Sequence, residues 1–325
     1  MVYVAGIDIG GTKCAVTIGS VSDEGVTVSD KIRMQTPASP REAVPMLVEA
    51  LKELVKRNPD KPVGAVGISC GGPLDSKKGL ILSPPNLRLW DQIDICRPFR
   101  EEFGVPCALQ NDANACGLAE WLWGAGKGCT NMIFLTCGTG MGAGLILNGR
   151  LYAGTNDNAG EVGHTRLEPD GPEGYYKRGS FEGFCSGGGI ARLGKMMLGE
   201  YLAENKETKV LAIQPDPSKI TAKDLGIAAN EGDEFALSVY ERVGEKLGKG
   251  IAVLIDILNP EKIVIGSIFL RQEHLLRPPM EAAIRREALS QAAQVCEIVP
   301  AGLKEDIGDY AALSVAYNHL LEQTD

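Results

Sequence analysis

The 325-residue sequence has no block of basic residues, and its acidic residues outnumber the basic ones. Lys and Arg total 33 against 42 Asp and Glu, which gives a formal net charge of −9. Such a chain is repelled by polyanions, so nucleic acid is not expected as its main partner. No low-complexity segment or long linker interrupts it, and its length suffices for two domains with separate cores.

None of the nine cysteines is spaced as Cys-x-x-Cys, so neither a zinc ribbon nor a redox dithiol is indicated. Many of them lie in apolar runs, where a free cysteine behaves as a small hydrophobic residue. This usage predicts a reduced, cytoplasmic protein.

The amino terminus has no charged n-region, and Asp8 interrupts its apolar run, so no signal peptide is expected. The uncharged run 128–148 is long enough to span a bilayer, but it contains five glycines and Asn131. A strand-loop-strand unit explains this composition better than a membrane helix. The sequence therefore predicts no membrane association.

The stretch Asp8–Lys13 (DIGGTK) lies between two β-rich runs, Val2–Ile7 and Cys14–Ile18, and the pattern predicts a hairpin. Its adjacent glycines allow backbone N–H groups to converge on one point, which suits an anion. The lysine adds a positive charge, and the aspartate offers a hard oxygen ligand for Mg²⁺, directly or through water. A tight hairpin with incidental polar residues is the alternative, since Gly-Gly is a common connector.

The rest of the first half alternates strands with helices. The predicted elements are a β-rich run 25–36, a helix 41–57, a strand 63–69, a strand 105–110 and a helix 113–123. The order βββαβα indicates an α/β domain whose sheet has one antiparallel edge.

The second half begins in the same way, with a strand 131–136, a glycine turn 137–142 and a returning strand 143–147. Two halves built alike, each with an anion-binding turn, suggest a cleft that holds phosphates from both sides. Residues 156–185 are interpreted as a polar loop. The remaining expected elements are helices 187–205, 221–230, 235–258, 274–289 and 309–322 and strands 262–265 and 295–299.

Seven motifs together resemble the ROK family of sugar kinases and repressors, which has the actin-like ATPase (ribonuclease H-like) fold. They are Asp8–Lys13, Gly72–Asp75, Pro85–Leu87, Asn111–Ala115, Cys137–Gly142, Gly160–His164 and Asn259–Glu261. The resemblance implies a two-lobed α/β fold with duplicated βββαβαβα halves. It places residues 1–112 plus 305–325 in one lobe and 113–304 in the other.

The resemblance also implies roles for individual residues. Asp112 would be the catalytic base, although an aspartate between a strand and a helix is also a common N-cap. The sugar would be bound by Gly72, Asn86, Asn111, Asp112, Glu161, His164 and Glu182. For Glu161 and His164 the alternative is a solvated polar pair.

Nucleotide binding is assigned to both glycine turns and to two further sites. The residues implied at the phosphates are Asp8, Gly10, Gly11, Thr12, Lys13, Gly138, Thr139 and Gly140, with Asp8 as the Mg²⁺ ligand. Gly187, Gly188, Gly266 and Ser267 would border the adenosine, where glycines let the backbone approach a flat base. Each of these sites alone is also explained by a hairpin or a helix terminus.

One departure from the family concerns its structural zinc site. The family's three zinc-binding cysteines correspond here to Glu173, Tyr175 and Ser180, so the soft thiolates are missing and no zinc is expected. Packing of Tyr175, Tyr176 and Phe181 is the expected substitute.

The resulting hypothesis is an ATP- and Mg²⁺-dependent hexose kinase that acts on the 6-OH of glucose or a related hexose, with a homodimer implied by the family. The alternative is a sugar-binding regulatory protein, either repressor-like or catalytically silent. A repressor would carry a DNA-binding segment before Asp8, and the few residues there leave no room for one. The sequence does not distinguish among glucose, fructose, allose, mannose and N-acetylhexosamines.

Overall fold

A computed structural model describes residues 1–323, apart from the side chain of residue 305. Its strands are β1 (Val2–Ile9), β2 (Lys13–Val21), β3 (Val26–Gln35), β4 (Val63–Cys70), β5 (Leu74–Asp75), β6 (Leu80–Leu82), β7 (Asp91–Asp94), β8 (Cys107–Asn111), β9 (Met132–Cys137), β10 (Met141–Leu147), β11 (Arg150–Leu151), β12 (Glu173–Gly174), β13 (Lys177–Arg178), β14 (Lys262–Ile265) and β15 (Glu297–Pro300). Its α-helices are α1 (Pro40–Arg57), α2 (Cys96–Phe103), α3 (Asp112–Trp123), α4 (Phe181–Cys185), α5 (Gly187–Ala203), α6 (Val210–Ile213), α7 (Ala222–Asn230), α8 (Glu234–Leu258), α9 (Ile268–Glu287), α10 (Ser290–Ala293) and α11 (Ile307–Glu322).

The first sheet has the order β3-β2-β1-β4-β8. Strands β1, β2 and β3 form an antiparallel meander, whereas β1, β4 and β8 run parallel to one another. The predicted α/β sheet with one antiparallel edge is therefore confirmed. Because β1, β4 and β8 run in the same direction, their carboxyl ends meet at one edge of the sheet.

Both faces of the first sheet are covered by helices. On one face, α1 contributes a buried apolar stripe that includes Leu47, Leu51 and Leu54, and Phe99 of α2 joins the same core. On the other face, Leu313 and other apolar residues of α11 pack against the sheet. The spacing of apolar residues that predicted α1 reflects the burial of this one helix face.

Glycines let α11 approach the first sheet closely. A Cβ on Gly67 of β4 would lie 2.2 Å from the carbonyl oxygen of Ala312 and 2.3 Å from the amide nitrogen of Ala316. A Cβ on Gly6 of β1 would lie 3.0 Å from the Cβ of Ala312. The helix and the sheet are thus in backbone contact at these positions, with no room for a side chain.

Helix α2 and the small sheet β5-β6-β7 were not predicted. The strands of this sheet have two to four residues, which is too short for an alternating pattern to be recognised. The stretch nevertheless belongs to the folded core, because Leu74, Ile81, Leu87, Trp90 and Ile95 are buried.

The second sheet has the order β11-β10-β9-β14-β15. It repeats the first sheet, because three consecutive strands lie side by side and two further strands are reached through helices. Strands β14 and β15 pair in parallel, as β4 and β8 do. The duplication predicted from the two glycine turns is confirmed.

Two predicted elements have different limits in the structure. The helix expected at 274–289 begins at Ile268, and Gln272 interrupts its backbone with non-helical angles. The stretch 156–185, predicted to be a loop, also contains the hairpin β12–β13 and the helix α4. These elements are short and lack a hydrophobic period, so the sequence did not reveal them.

The chain divides into two compact units. One consists of Met1–Phe134, Gly144–Gly160 and Ala301–Asp325, and the other of Leu135–Ala143 and Glu161–Pro300. The lobe limits 1–112 plus 305–325 and 113–304 stay a prediction, and residues 324–325 lie outside the described part. Within the described part, no helix is long and apolar enough to cross a membrane.

We expect Gly67→Ala to destabilise the protein, because the added Cβ would collide with the backbone of α11. Overpacking of this kind costs about 1–3 kcal/mol in the free energy of unfolding. Gly64→Ala on the same strand is the matched control, since its Cβ would lie 3.4 Å from the nearest atom, a methyl carbon of Val2. Urea denaturation of both variants measures the difference, and equal stabilities would contradict the close approach.

Candidate functional site

Two of the candidate carboxylates lie at the carboxyl edge of the first sheet. Asp8 of β1 is paired with Ser69 of β4, and the next residue of β4, Cys70, is paired with Asn111 of β8. Asp112 follows directly as the first residue of α3. Parallel register therefore brings Asp8, Asn111 and Asp112 to one edge of the unit that contains them.

The two carboxylates influence each other electrostatically. Burial, together with the negative charge of Asp112, raises the pKa of Asp8 to about 6. The carboxylate of Asp112 remains accessible to solvent, yet protein atoms surround it closely enough that desolvation raises its pKa as well. A donated hydrogen bond from the backbone N–H of Ala113 acts in the opposite direction. Elevated pKa values of this type are typical of functional carboxylates.

Two further charged residues were not identified from the sequence. Lys31 of β3 forms an ion pair with Asp309 in the first turn of α11. The positive charge of Lys31 lowers the pKa of Asp8, and the negative charge of Asp309 raises it. Both residues are far from Asp8 in sequence, so only the tertiary structure reveals their effect on its pKa.

The first glycine turn is closed by backbone hydrogen bonds. The N–H of Gly10 donates to the carbonyl oxygen of Lys13 at 3.1 Å. Thr36, which follows β3, donates its hydroxyl to the carbonyl oxygen of Gly10 at 2.6 Å and its N–H to the carbonyl oxygen of Thr12 at 2.9 Å. Thr36 was missed from the sequence, although the pairing of Lys13 with Gln35 places it beside the turn.

The first turn also contacts the loop that contains Asn86. A Cβ on Gly11 would lie 2.7 Å from the Cβ of Asn86, so only glycine fits there. The loop is held by the buried side chains of Leu87 and Trp90, which belong to the core of the sheet. The structure therefore brings together a predicted phosphate residue and a predicted sugar residue.

Asn111, and not Asp112, is the N-cap of α3. Its side-chain oxygen accepts hydrogen bonds from the backbone N–H groups of Ala113 at 2.8 Å and Asn114 at 3.3 Å. The interpretation of Asp112 as the N-cap is therefore wrong, and its carboxylate is not needed to begin the helix. A Cβ on Gly72 would lie 3.2 Å from the side-chain nitrogen of Asn111, so these two predicted sugar residues are neighbours.

The second glycine turn connects β9 and β10. The N–H of Gly138 donates to the carbonyl oxygen of Gly140 at 3.1 Å, and the N–H of Gly187 donates to the carbonyl oxygen of Gly138 at 2.8 Å. Thr139 is exposed at the tip of the turn. The start of α5, with Gly187 and Gly188, is thereby attached to this turn.

Ser267 lies close to the second turn in an unusual backbone conformation. Its φ of 58° and ψ of −114° are rare for a residue with a side chain. A Cβ on Gly138 would lie 3.5 Å from the hydroxyl oxygen of Ser267. Gly266 precedes it and donates its N–H to the carbonyl oxygen of Leu135 in β9 at 2.9 Å.

Ser186, which the sequence analysis did not single out, is the N-cap of α5. Its hydroxyl oxygen accepts a hydrogen bond from the N–H of Gly189 at 3.1 Å.

Glu182 is also attached to the second turn. Its carboxylate accepts a hydrogen bond from the backbone N–H of Met141 at 3.0 Å. A Cβ on Gly163 would lie 2.3 Å from the carbonyl oxygen of Met141 and 3.2 Å from the Cβ of Glu182. The Gly160–His164 motif is thus packed against both, and it presents the exposed side chains of Glu161 and His164.

The segment that carries the zinc-binding cysteines in the family is a hairpin here. Tyr175 and Tyr176 form its two-residue turn with φ values of 39° and 62°. They are 61% and 86% exposed, so the expected packing is limited to the ring contacts of Tyr175 with His164 and Tyr176. Phe181 is buried as expected, and buried Ser180 caps α4 by accepting a hydrogen bond from Gly183 at 3.1 Å.

The predicted site residues therefore form two assemblies. The first unit brings together Asp8, Gly10, Gly11, Thr12, Lys13, Gly72, Asn86, Asn111 and Asp112. The second unit contains Gly138, Thr139, Gly140, Glu161, His164, Glu182, Gly187, Gly188, Gly266 and Ser267.

Within the described residues, no group of three or more His, Cys, Asp and Glu side chains could hold a metal ion. A hydrated Mg²⁺ bound to phosphates needs only one or two carboxylates, because waters and phosphate oxygens complete its coordination. Asp8 and Asp112 therefore fit Mg²⁺ that arrives with a nucleotide. Glu173, Tyr175 and Ser180 do not fit structural zinc.

We expect Asp8→Asn to stabilise the protein at pH 7.5 and to have little effect at pH 4. The folded pKa of about 6 exceeds the ordinary value of 3.8, so ionisation of Asp8 lowers stability as the pH rises through this interval. Melting temperatures at both pH values test this expectation. Asp60→Asn, which removes the same charge from an exposed aspartate in the turn after α1, is the control and should bring no gain at pH 7.5. A gain for Asp8→Asn that is the same at both pH values would contradict the assignment.

We also expect the purified protein to contain far less than one zinc per chain and to keep its melting temperature after dialysis against a strong chelator. Zinc that is bound by a protein contributes folding free energy, so its removal would lower the melting temperature. Elemental analysis with the melting curve provides the measurement, and one zinc per chain would refute the expectation.

Comparison with known proteins identifies the family. The model of the ROK family matches residues 4–318. The glucokinase of Halalkalibacterium halodurans is 32% identical over 94% of this chain and 92% of its own length. The xylose repressor of Bacillus subtilis is 26% identical over 98% of this chain and 78% of its own length.

Solved structures agree with this result. A ROK hexokinase from Thermus thermophilus has a TM-score of 0.80 at 27% identity and covers 98% of this chain and 99% of its own. A ROK family glucokinase from Streptomyces griseus, solved in complex with glucose and AMPPNP, has a TM-score of 0.76 at 26% identity and covers 97% and 99%. The chain belongs to the ROK family and has its actin-like ATPase fold.

Proposed function

We propose that this protein is an ATP-dependent hexose kinase that transfers the γ-phosphate to a sugar hydroxyl, the 6-OH of glucose or a related hexose. The observation that carries the proposal is the pair of carboxylates, Asp8 and Asp112, beside a glycine turn at the carboxyl edge of the first sheet. The glucokinase and hexokinase relatives support the same reaction class.

In this proposal Asp112 orients the sugar hydroxyl and accepts its proton while the oxygen attacks the γ-phosphorus. The bond from that phosphorus to the oxygen of ADP breaks in the same step. Phosphoryl transfer has a loose transition state, so positioning contributes more than basicity. The raised pKa of Asp112 nevertheless makes it a stronger base than an ordinary aspartate.

The remaining residues bind the two substrates. Asn86, Asn111, Gly72, Glu161, His164 and Glu182 are assigned to the sugar, because amides, carboxylates and imidazole match the donors and acceptors of a polyol. The turns at Gly10–Lys13 and Gly138–Gly140 are assigned to the phosphates, and Gly187, Gly188, Gly266 and Ser267 to the adenosine. The strained backbone of Ser267 supports a functional role at that position.

Mg²⁺, when bound, would neutralise charge on the phosphate oxygens as the phosphoryl group moves. Asp8 would hold it directly or through water. The repulsion between Asp8 and Asp112 supports this role, because a divalent cation would relieve it.

A sugar-binding regulatory protein is the second candidate, and the similarity to the xylose repressor supports it. Such a protein would bind the sugar through the same residues without phosphorylating it. The acidic net charge of −9 does not favour a role in binding DNA.

A coupled ADP-release assay over glucose, fructose, allose, mannose and N-acetylhexosamines tests the proposal. We expect Asp112→Asn to lower kcat by about 10²–10⁴-fold while sugar affinity, measured by calorimetry, changes little. The removal of a group that acts mainly in the transition state has this signature.

Asp60→Asn is a matched control, because Asp60 is exposed in the turn after α1 and has no assigned role. It should keep the wild-type kcat. Activity that survives Asp112→Asn would remove the assignment of the base. A wild-type protein that binds a hexose but releases no ADP would favour the regulatory candidate.

A further inference from the structure

An ion cluster connects helix α8 to the segment between His164 and Glu182. Lys246 and Lys249 of α8 both donate to the same carboxylate oxygen of Glu168, at 2.8 Å and 2.9 Å. The side chain of Lys246 is only 5% exposed, so its charge is shielded from water. The two lysines hold the pKa of Glu168 at about 2, and the carboxylate is therefore ionised throughout the physiological range.

The environment of Lys246 makes Glu168 its main counter-ion. The next carboxylate, Glu245, lies 3.5 Å from the Lys246 ammonium and is also 3.6 Å from Arg286. The ring of Phe184 lies 5.8 Å from the same ammonium. Loss of one partner from such a buried pair leaves an uncompensated charge, which is strongly unfavourable.

Beside the ion cluster, the segment borders a cavity. Glu168 and the following residues up to Pro172 line a cavity of about 410 Å³, together with side chains of α5 and α8 such as Met196 and Arg242. The segment is also packed within its unit, since Pro172 and Gly174 are buried and a Cβ on Gly171 would lie 2.5 Å from the ring of Phe184. The ion cluster connects α8 directly to Glu168 at the border of this cavity.

Glu168 is connected to His164 and Glu182, two of the three predicted sugar residues of this unit. The N–H of Glu168 donates to the carbonyl oxygen of Gly179 at 3.1 Å, which joins it to the end of the hairpin. In the hairpin, Lys177 donates to the carbonyl oxygen of His164 at 2.7 Å, and the Tyr175 ring meets the His164 ring edge-on at 6.3 Å. After Gly179, Ser180 begins the short helix that carries Glu182.

We propose that Glu168, held by Lys246 and Lys249, is a positioning residue for sugar binding: it keeps the segment from His164 to Glu182 in place without a metal. The inference rests on the proposed function only in assigning His164 and Glu182 to the sugar. None of these three charged residues contacts the reacting atoms in the proposal.

Kinetics of Glu168→Gln test the proposal. We expect the KM for the sugar to rise about tenfold, which corresponds to the loss of about one hydrogen bond to the sugar. The kcat should stay within about twofold, because binding lost equally from ground state and transition state changes KM alone. The KM for ATP should not change.

Arg178→Gln is the matched control. Arg178 forms an ion pair with Asp170 in the same segment at 2.6 Å, but both side chains are exposed, at 59% and 69%. Exposed pairs contribute little, so this variant should keep the wild-type KM for the sugar. An equal rise in the KM for the sugar in both variants would overturn the proposal, because any substitution in the segment would then be enough to weaken sugar binding.

A double-mutant cycle of Glu168→Gln with Lys246→Met shows whether the two residues act as a pair. The double variant should have a KM no higher than that of the more impaired single variant, because removal of both partners leaves no uncompensated charge at position 246. If Glu168→Gln does not fold, Lys249→Met is the variant to use in its place. It keeps the contact of Lys246 with Glu168, so the rise in KM should be smaller. Additive effects in the cycle would overturn the pairing.

Amide hydrogen exchange separates this inference from the proposed function, since it needs no kinase activity. Residues 165–180 should exchange faster in Glu168→Gln than in the wild type, whereas the amides of β1 and β4 should not change. Faster exchange together with a wild type that lacks kinase activity would support the positioning role of Glu168 and contradict the proposed kinase function. Unchanged exchange and an unchanged KM for the sugar would contradict the positioning role of Glu168.

Discussion

Three parallel strands that end at one edge of a sheet impose the constraint on which the candidate catalytic geometry depends. The register pairs Asp8 with Ser69 and Cys70 with Asn111, so Asp112 must follow at the same edge. Protein atoms crowd both carboxylates at this edge, and desolvation raises the pKa of each, although Asp112 remains accessible to solvent. This arrangement costs stability, and proteins typically accept such a cost where a site performs chemistry.

The same edge is supported from outside the strands. Glycines at positions 6 and 67 bring α11 into backbone contact with the sheet. The first turn of α11 then supplies Asp309, whose ion pair with Lys31 adjusts the electrostatic environment of Asp8. A close-packed helix thus provides both rigidity and charge, which a mobile loop could not do with equal precision of position.

The second unit contains the segment in which the family pattern places three zinc-binding cysteines. The positions of the three cysteines hold Glu173, Tyr175 and Ser180, and none of them reproduces a thiolate. Ser180 instead caps a helix, and Glu168 connects the segment to α8 through two lysines. The family fold is common to glucokinases and repressors. Function therefore depends on side chains such as Asp112, which the fold alone does not specify.

The amino-acid sequence by itself determined those features that are local. The hairpin around the first glycine turn, the stripe of α1, the strand Lys262–Ile265 and the capping box of Thr221 with Asp224 are encoded by neighbouring residues. The motifs that identify the family are also local, so the candidate residues were found without coordinates.

Only the tertiary structure decided which of these residues meet. The hydroxyl of Thr36 on Gly10, the contact of Gly11 with Asn86 and the exposure of Tyr176 depend on segments far apart in the chain. Asn111 caps α3 although Asp112 is an equally good capping residue type, because the helix begins at Asp112, one residue earlier than the pattern predicted. Sequence patterns report periodic burial and local hydrogen bonds, whereas strand register and the distance between backbones are set by the packing of the whole unit.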